Sequence, residues 1–534
     1  MICWFDKAQY LLGQDIRIHV PGETHCSAVT VYRLEKPVGC DWRMEEDTLV
    51  ISHVPAGSFG VTVQAGSSLW EGAFDVVADP RQVTRYGFLS DFSSDDGETA
   101  DIAWMRDLHI NAVQFYDWMY RHDALLPPDT KFSDPMGRDM DLDVIRGKVS
   151  LCKAWGIRPI AYGAIYAATR ETFEQHPQWG MYTMDGQPMT FANWLYYMNV
   201  SPDCGWTDHI LKEYRKAMAF GFSGIHMDTY GFPKRVWDSD GHPVELSSAF
   251  AKLIDRAAEI ARLEDAYGGV IFNAVNNWPM EAVATTRQDA VYIEVWPPND
   301  TYHDLYTLIR EARLCSGKQV VLAAYLKPFQ GEDVSGAERA FRFSWAAISA
   351  SGGTQLVLGE QGGALQDSYY ARYAKLRPDF LPVVQKYCDF LVRYADLMYN
   401  DDGTDTSKTA SGGINEDICF ESENCRFSAD GKADTVWTII RETGCRLTIH
   451  LVNLKGNDER WNVAKREPKP AEKIRIHLRL DRPVDGFYCA SADRDSLGAE
   501  KLPYAFRNTD QGRIYSVDVP AVQYWTAIWA SLEE

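Results

Sequence analysis

Residues 1–82 alternate apolar and polar positions in short runs, DIRIHV, AVTVYRL, TLVISHV and FGVTVQA, broken by Gly- and Pro-containing turns. Period-two alternation over runs this short predicts half-buried antiparallel strands, hence a small immunoglobulin-like β-sandwich. From Tyr86 the rhythm changes. Short apolar runs recur at YGFLSD (86–91), NAVQFY (111–116), RPIAYG (158–163), SGIHMD (223–228), VIFNAV (270–275), VYIEVW (291–296), VVLAAY (320–325) and TQLVLG (354–359). Between them lie stretches of helical period: ETADIAWMRDLH, LDVIRGKVSLCKAW, TDHILKEYRKAMAF, SSAFAKLIDRAAEIARLED, YHDLYTLIREARLC and GAERAFRFSWAAISA. Buried strands alternating with amphipathic helices predict an α/β fold, a catalytic (β/α)8 TIM barrel over 83–395. An open doubly wound sheet is the competitor, but no phosphate-binding glycine motif opens any helix. Over 396–534 the first rhythm returns (TVWTIIRE, CRLTIHLVNL, KIRIHLRL, DGFYCASA, IYSVDV, YWTAIWA) and predicts a C-terminal antiparallel β-sandwich.

Charge narrows the partners. With 75 Asp and Glu against 54 Lys and Arg, the net charge is −21. Nucleic acid and anionic membrane are gripped by Lys/Arg clusters, so neither is expected as a partner and a neutral substrate is. Aromatics at 13% leave Trp and Tyr for sugar-binding surfaces after the cores are packed. No run approaches the roughly 20 apolar residues that span a bilayer. The opening MICWFDKAQYLLGQDIRIHV has no basic n-region and no apolar h-region. That predicts a cytoplasmic protein, or an extracellular one if the start has been trimmed. The 11 cysteines form no CxxC pair and read as reduced thiols. His109, His122 and His303 show no metal-ligand spacing, so no metal and no cofactor is expected. Oligomeric state is open.

Two segments carry candidate chemistry: GFSGIHMDTYG with Asp228 and AVYIEVWPPND with Glu294. Each reads as a short strand ending in a carboxylate before a Gly- or Pro-containing loop, the place where barrel enzymes put reacting groups. Strand alternation puts Gly224, His226 and Asp228 on one face and Ile225 and Met227 on the other. In the second segment Ala290, Tyr292, Glu294 and Trp296 share a face opposite Val291, Ile293 and Val295. The small and polar faces should meet the barrel axis. Two carboxyl groups about 5–5.5 Å apart cleave a glycosidic bond without a metal, one attacking the anomeric carbon and one protonating the leaving oxygen. Asp228 suits the first role and Glu294 the second. Asp91, Asp117 and Glu360 are the other acidic candidates. A non-catalytic glucan-binding protein and a metal-dependent barrel hydrolase are the competing classes.

Several stretches resemble glycoside hydrolase family 66, the dextranases and cycloisomaltooligosaccharide glucanotransferases. They are DKAQYLLGQDIRI, FYDWMYRHD (115–123), YYMNVSPDCGW (196–206), GFSGIHMDTYG, YIEVWP and LGEQGGAL, in family order across nearly the whole chain. The resemblance implies Asp228 as nucleophile, Glu294 as acid/base, and a retaining mechanism on α-1,6-linked dextran or isomaltooligosaccharides. A transglycosylase on the same scaffold is the alternative. The nucleophile strand reads GIHMD where better-known members carry a Trp-Gln pair, so His226 either contacts substrate or is a barrel-axis histidine satisfied by a neighbour. The long barrel insertion of the glucanotransferases is missing, which favours hydrolysis. Candidate substrate contacts are Tyr116, Asp117, Trp118, Trp194, Tyr196, Asn199, His226, Asn273, Asn276 with neighbouring Asn277, Trp296, Tyr325 and Glu360.

Overall fold

The apolar runs from Tyr86 onward pair in chain order. In the computed structural model, which describes residues 3–97, 99–229, 231, 234–399 and 403–532, they form the parallel part of an 11-stranded sheet. The parallel strands are Tyr86–Leu89, Ala112–Phe115, Arg158–Ala164, Gly224–Asp228, Gly269–Asn273, Val291–Glu294, Val320–Ala323 and Gly353–Gln355. Leu358–Gly359 follows the last of these and pairs through Gly359 with Phe88 of the first. It then turns antiparallel into Gly363–Ala364 and Ala374–Lys375. The fold is therefore mixed α/β, a curled sheet with antiparallel sheets before and after it in the chain. Strands approach closely where it bends: a Cβ on Gly224 would stand 2.7 Å from the Gly269 carbonyl oxygen, so only glycine fits there.

The sheet's two faces bury different residues, as alternation requires. Ile225, Met227, Val291, Ile293 and Val295 join the large core beneath the helices. Tyr86, Phe88, Ile160, Ile271, Tyr292, Val321 and Tyr325 form a separate cluster on the other face. Asp228 and Glu294 belong by parity to that second face. The helices start where the sequence provides caps. The Asp141 carboxylate accepts from the Asp143 amide at Leu142–Ala154, and Thr301 and Asp304 form a capping box at Tyr302–Ser316. Each such cap is worth about 1 kcal/mol. Three α-helices among the described residues lie outside the expected set. Arg170–Gln175 follows the third strand, capped by Thr169. Met280–Val283 is a single turn between the fifth and sixth strands. Leu381–Arg393 follows the last strand and packs on the N-terminal strands Gly57–Ala65 and Ser68–Val77.

The N-terminal strands make a four-stranded and a five-stranded sheet around their own core, which includes Ile16, Ile18, Leu49, Phe59, Val61 and Phe74. The C-terminal strands make a seven-stranded and a four-stranded sheet around Ile440, Ile449, Ile476, Val517 and Ile528. Asp41–Glu45 and Tyr504–Thr509 escaped the alternation pattern because both are largely exposed edge strands.

Candidate active site

Parallel strands deliver their last inward side chains to one end of the sheet. There Ala164 stands beside Asp228, and Ala323 beside Glu294, so short neighbours leave room around each carboxylate. The fifth strand, between those of Asp228 and Glu294, ends in Asn273. Its Nδ2 donates to Asp228 Oδ1 (2.8 Å) and to Glu294 Oε2 (3.1 Å). Its Oδ1 accepts from the Glu294 amide (3.3 Å), which fixes the orientation of the side-chain amide. The two bridged oxygens are therefore at most about 5.9 Å apart, the sum of the two donor distances. The Tyr162 hydroxyl donates to Asp228 Oδ2 (2.8 Å) and the Tyr325 hydroxyl to Glu294 Oε1 (2.8 Å). All four carboxylate oxygens thus have a donor.

Behind Tyr325 the hydrogen bonding continues. Tyr370 OH lies 3.4 Å from Tyr325 OH and 3.1 Å from Tyr292 OH. Tyr116 stacks on Tyr370 with ring centroids 4.3 Å apart. Beneath Asp228, His226 presents Nδ1 to Tyr86 OH at 3.3 Å and meets the Tyr292 ring edge-on at 4.7 Å. His226 is thus satisfied by a neighbour, Tyr86, and it also lines the cleft.

Burial governs the charges. Burial, and after it the Glu294 carboxylate, pushes Asp228 up to about 7, against the pull of the Asn273 and Tyr162 hydrogen bonds. Two unit charges at this separation repel by roughly 3 kcal/mol at an effective dielectric of about 20. Asp228 therefore holds its proton more tightly than an exposed aspartate does. Burial also pushes Asp117 up to about 7, and His226 and His122 down to about 3 and about 4. Both imidazoles are neutral at ordinary pH.

These groups line an open cleft of about 670 Å³. Of the candidate contacts, Tyr116, Asp117, Trp194, His226, Asn273, Asn276, Trp296 and Tyr325 stand on it with the two carboxylates. Five expected contacts do not. Trp118 is fully buried, donates Nε1 to the Tyr162 carbonyl (3.1 Å) and packs on Phe222, so it backs the strand that carries Tyr162. Tyr196 stacks on Phe173 at 4.2 Å. Asn199 accepts from the Ser201 amide (2.9 Å) and shapes a turn. Glu360 is buried and accepts from Ser90 N and Oγ and from Asp91 N. One of its oxygens lies within 4.8 Å of one oxygen each of Asp96 and Asp101, where the Lys148 ammonium binds Asp96. Asp91 caps the Ser93 amide (3.0 Å). Asn277 is not among the cleft residues, and Tyr230 of the Asp228 segment lies outside the described residues.

Sequence reasoning missed Gln114, His122, Tyr162 and Tyr370, all on the cleft. Tyr162 and Gln114 carried a signal, because they share strand parity with inward Ile160 and Ala112. Tyr370 carried none, because its loop has no period.

The model of glycosyl hydrolase family 66 matches residues 5–529. A cycloisomaltooligosaccharide glucanotransferase of Niallia circulans is 24% identical over 98% of this chain and 71% of its own length. A Streptococcus salivarius dextranase is 24% identical over 64% of this chain and 48% of its own. The chain thus spans only part of each relative. The crystal structure of a Paenibacillus sp. cycloisomaltooligosaccharide glucanotransferase complexed with cycloisomaltoheptaose superposes with a TM-score of 0.87. The overlap takes in 99% of each chain at 20% identity, a likeness of fold. With the family model matching nearly end to end, the chain belongs to glycosyl hydrolase family 66 and is a glycoside hydrolase.

Proposed function

We propose that the chain is a retaining glycosidase that cleaves α-1,6-glucosidic linkages of dextran or isomaltooligosaccharides by double displacement. Asp228 acts as nucleophile and Glu294 as acid, then base. The observation that carries this is the Asn273 bridge. Its upper bound of about 5.9 Å falls short of the roughly 6.5–9.5 Å of inverting pairs and close to the roughly 5–5.5 Å of retaining ones. The named activities of the relatives support the linkage. We read the curled sheet as a closed (β/α)8 barrel whose eighth strand is split, Gly353–Gln355 pairing with the seventh and Leu358–Gly359 with the first. Distinct N-terminal and C-terminal apolar cores support units at 1–82 and 396–534, and the large core of 83–395 also takes in residues of both flanks, such as Ala8 and Trp525.

In the first half-reaction, Asp228 attacks the anomeric carbon while Glu294 gives its proton to the leaving oxygen. In the second, Glu294 takes a proton from water, which displaces the Asp228 carboxylate. Asn273 contacts both carboxylates, so it stabilises whichever is charged at each stage. The test is incubation with dextran, isomaltooligosaccharides, starch and pullulan. Products should come from the two α-1,6 substrates, and proton NMR should show the α-anomer first. A predominant β-anomer would mean an inverting enzyme.

The Asp228 carboxyl sets the acid limb of the pH profile. As nucleophile it has to be ionised, so kcat/KM on isomaltooligosaccharides should rise as pH rises through about 7. On a glycosyl fluoride, which needs no acid, Glu294→Gln should keep this limb but displaced below 7, because the neighbouring charge that helps raise Asp228 is gone. A limb that stays near 7 in that variant would assign it to another group.

Transfer to a sugar in place of water is a second reading, favoured by the glucanotransferase relatives. Against it, 98% of this chain aligns over 700 positions with the first of them, so that relative carries insertions this chain of 534 residues lacks.

A further inference from the structure

We infer that Trp296 is the acceptor platform of the cleft. A sugar stacked on its indole sets how the glycosyl-enzyme divides between water and a sugar hydroxyl. The inference rests on the glycosidase reading above. Trp296 lies two residues beyond Glu294, the last residue of its strand, and lines the cleft together with that acid/base, whose proton goes to the leaving oxygen. It is 37% exposed while lining the cleft. An indole left in water gains free energy when an apolar face covers it, and a pyranose ring offers one.

Its backbone is held on both sides. The Trp296 amide donates to Asn276 Oδ1 (2.8 Å), and the Trp296 carbonyl accepts from Asn299 Nδ2 (3.2 Å). The same Asn299 amide donates to Asn276 Oδ1 (3.0 Å), and Asn276 Nδ2 donates to the Pro297 carbonyl (3.3 Å). Asn276 sits in the left-handed region at φ 50°, a conformation asparagine tolerates better than most residues. Tyr325, the donor to Glu294, meets the Trp296 ring at 6.2 Å and 67°. Asn276 therefore acts by holding the loop that presents the indole, its own side-chain atoms being engaged.

The platform bears on the second half-reaction. An acceptor hydroxyl oxygen bonds to the anomeric carbon as the bond from that carbon to Asp228 breaks. The electron pair returns to the Asp228 carboxylate, and the hydroxyl proton passes to Glu294. Water reacts by the same steps, so a sugar prevails only where binding raises its local concentration.

The test uses isomaltotriosyl fluoride as donor and isomaltose as acceptor, reading fluoride release and the ratio of transfer product to hydrolysed donor. At fixed isomaltose, Trp296→Ala should lower that ratio about tenfold, the loss of one stacked and covered face. Trp296→Tyr should restore most of it, and Asn276→Ala, with the indole present but its loop released, should lower it by a smaller factor. A ratio within twofold of wild type in both alanine variants overturns the inference. Should Trp296→Ala fail to fold, Asn276→Ala decides alone on the same criterion. Wild type that releases no fluoride and cleaves no isomaltooligosaccharide overturns the glycosidase reading instead.

Discussion

Asp228→Asn should abolish turnover, lowering kcat about ten-thousandfold or more, because a covalent mechanism loses its nucleophile. The fold should survive. The asparagine keeps the carboxylate's shape. Its oxygen accepts from Asn273 as Asp228 Oδ1 does, and its NH2 reaches the Tyr162 hydroxyl, which accepts as readily as it donates. The change also removes a buried charge that burial and Glu294 both disfavour. The melting temperature should therefore hold or rise, and isomaltooligosaccharides should still bind. Kinetics and calorimetry on the same preparation separate the two effects. Activity within about tenfold of wild type would remove Asp228 from the role.

Glu294→Gln should show a split that depends on the leaving group. The glutamine accepts from Tyr325 in place of Glu294 Oε1 but transfers no proton. On isomaltooligosaccharides, whose alcohol leaving group needs protonation, the variant should be nearly inactive, a loss of about a hundredfold to ten-thousandfold. On a glycosyl fluoride the first half-reaction should survive, and the ester on Asp228 should accumulate because no base remains to activate water. Intact-mass spectrometry should detect that species. Azide needs no base and should restore turnover, giving an α-glycosyl azide after two inversions at the anomeric carbon. Equal inactivity on both substrates without azide rescue would move the acid/base elsewhere. Glu360, an acidic candidate from the sequence, would not inherit the role, since Ser90 and Asp91 engage its oxygens away from the cleft. Asp117, buried and on the cleft, would be the next residue to test.

Local pattern alone determined the parts of this protein that depend on nearest neighbours in the chain. The alternation of strand and helix, the inward parity of Asp228 and Glu294, and the position of each at a strand end all follow from periods of two and 3.6 residues. These survive folding because one face of every such element has to be buried. Family motifs spread along the whole chain added the chemistry that two carboxylates can perform.

Tertiary structure alone decided which aromatic and amide side chains meet those carboxylates. Asn273, Tyr162 and Tyr325 converge from the fifth, third and seventh strands, and no local period encodes a distance between strands. Trp118 and Tyr196 resembled platform residues from composition, yet Phe222 and Phe173 cover them. An aromatic ring gains as much free energy from packing against another ring as from waiting for a sugar. The helix Leu381–Arg393 likewise owes its place to the N-terminal strands it covers. The raised proton affinity of Asp228 also belongs to the folded state, because burial and the approach of the distant Glu294 carboxylate push it up to about 7.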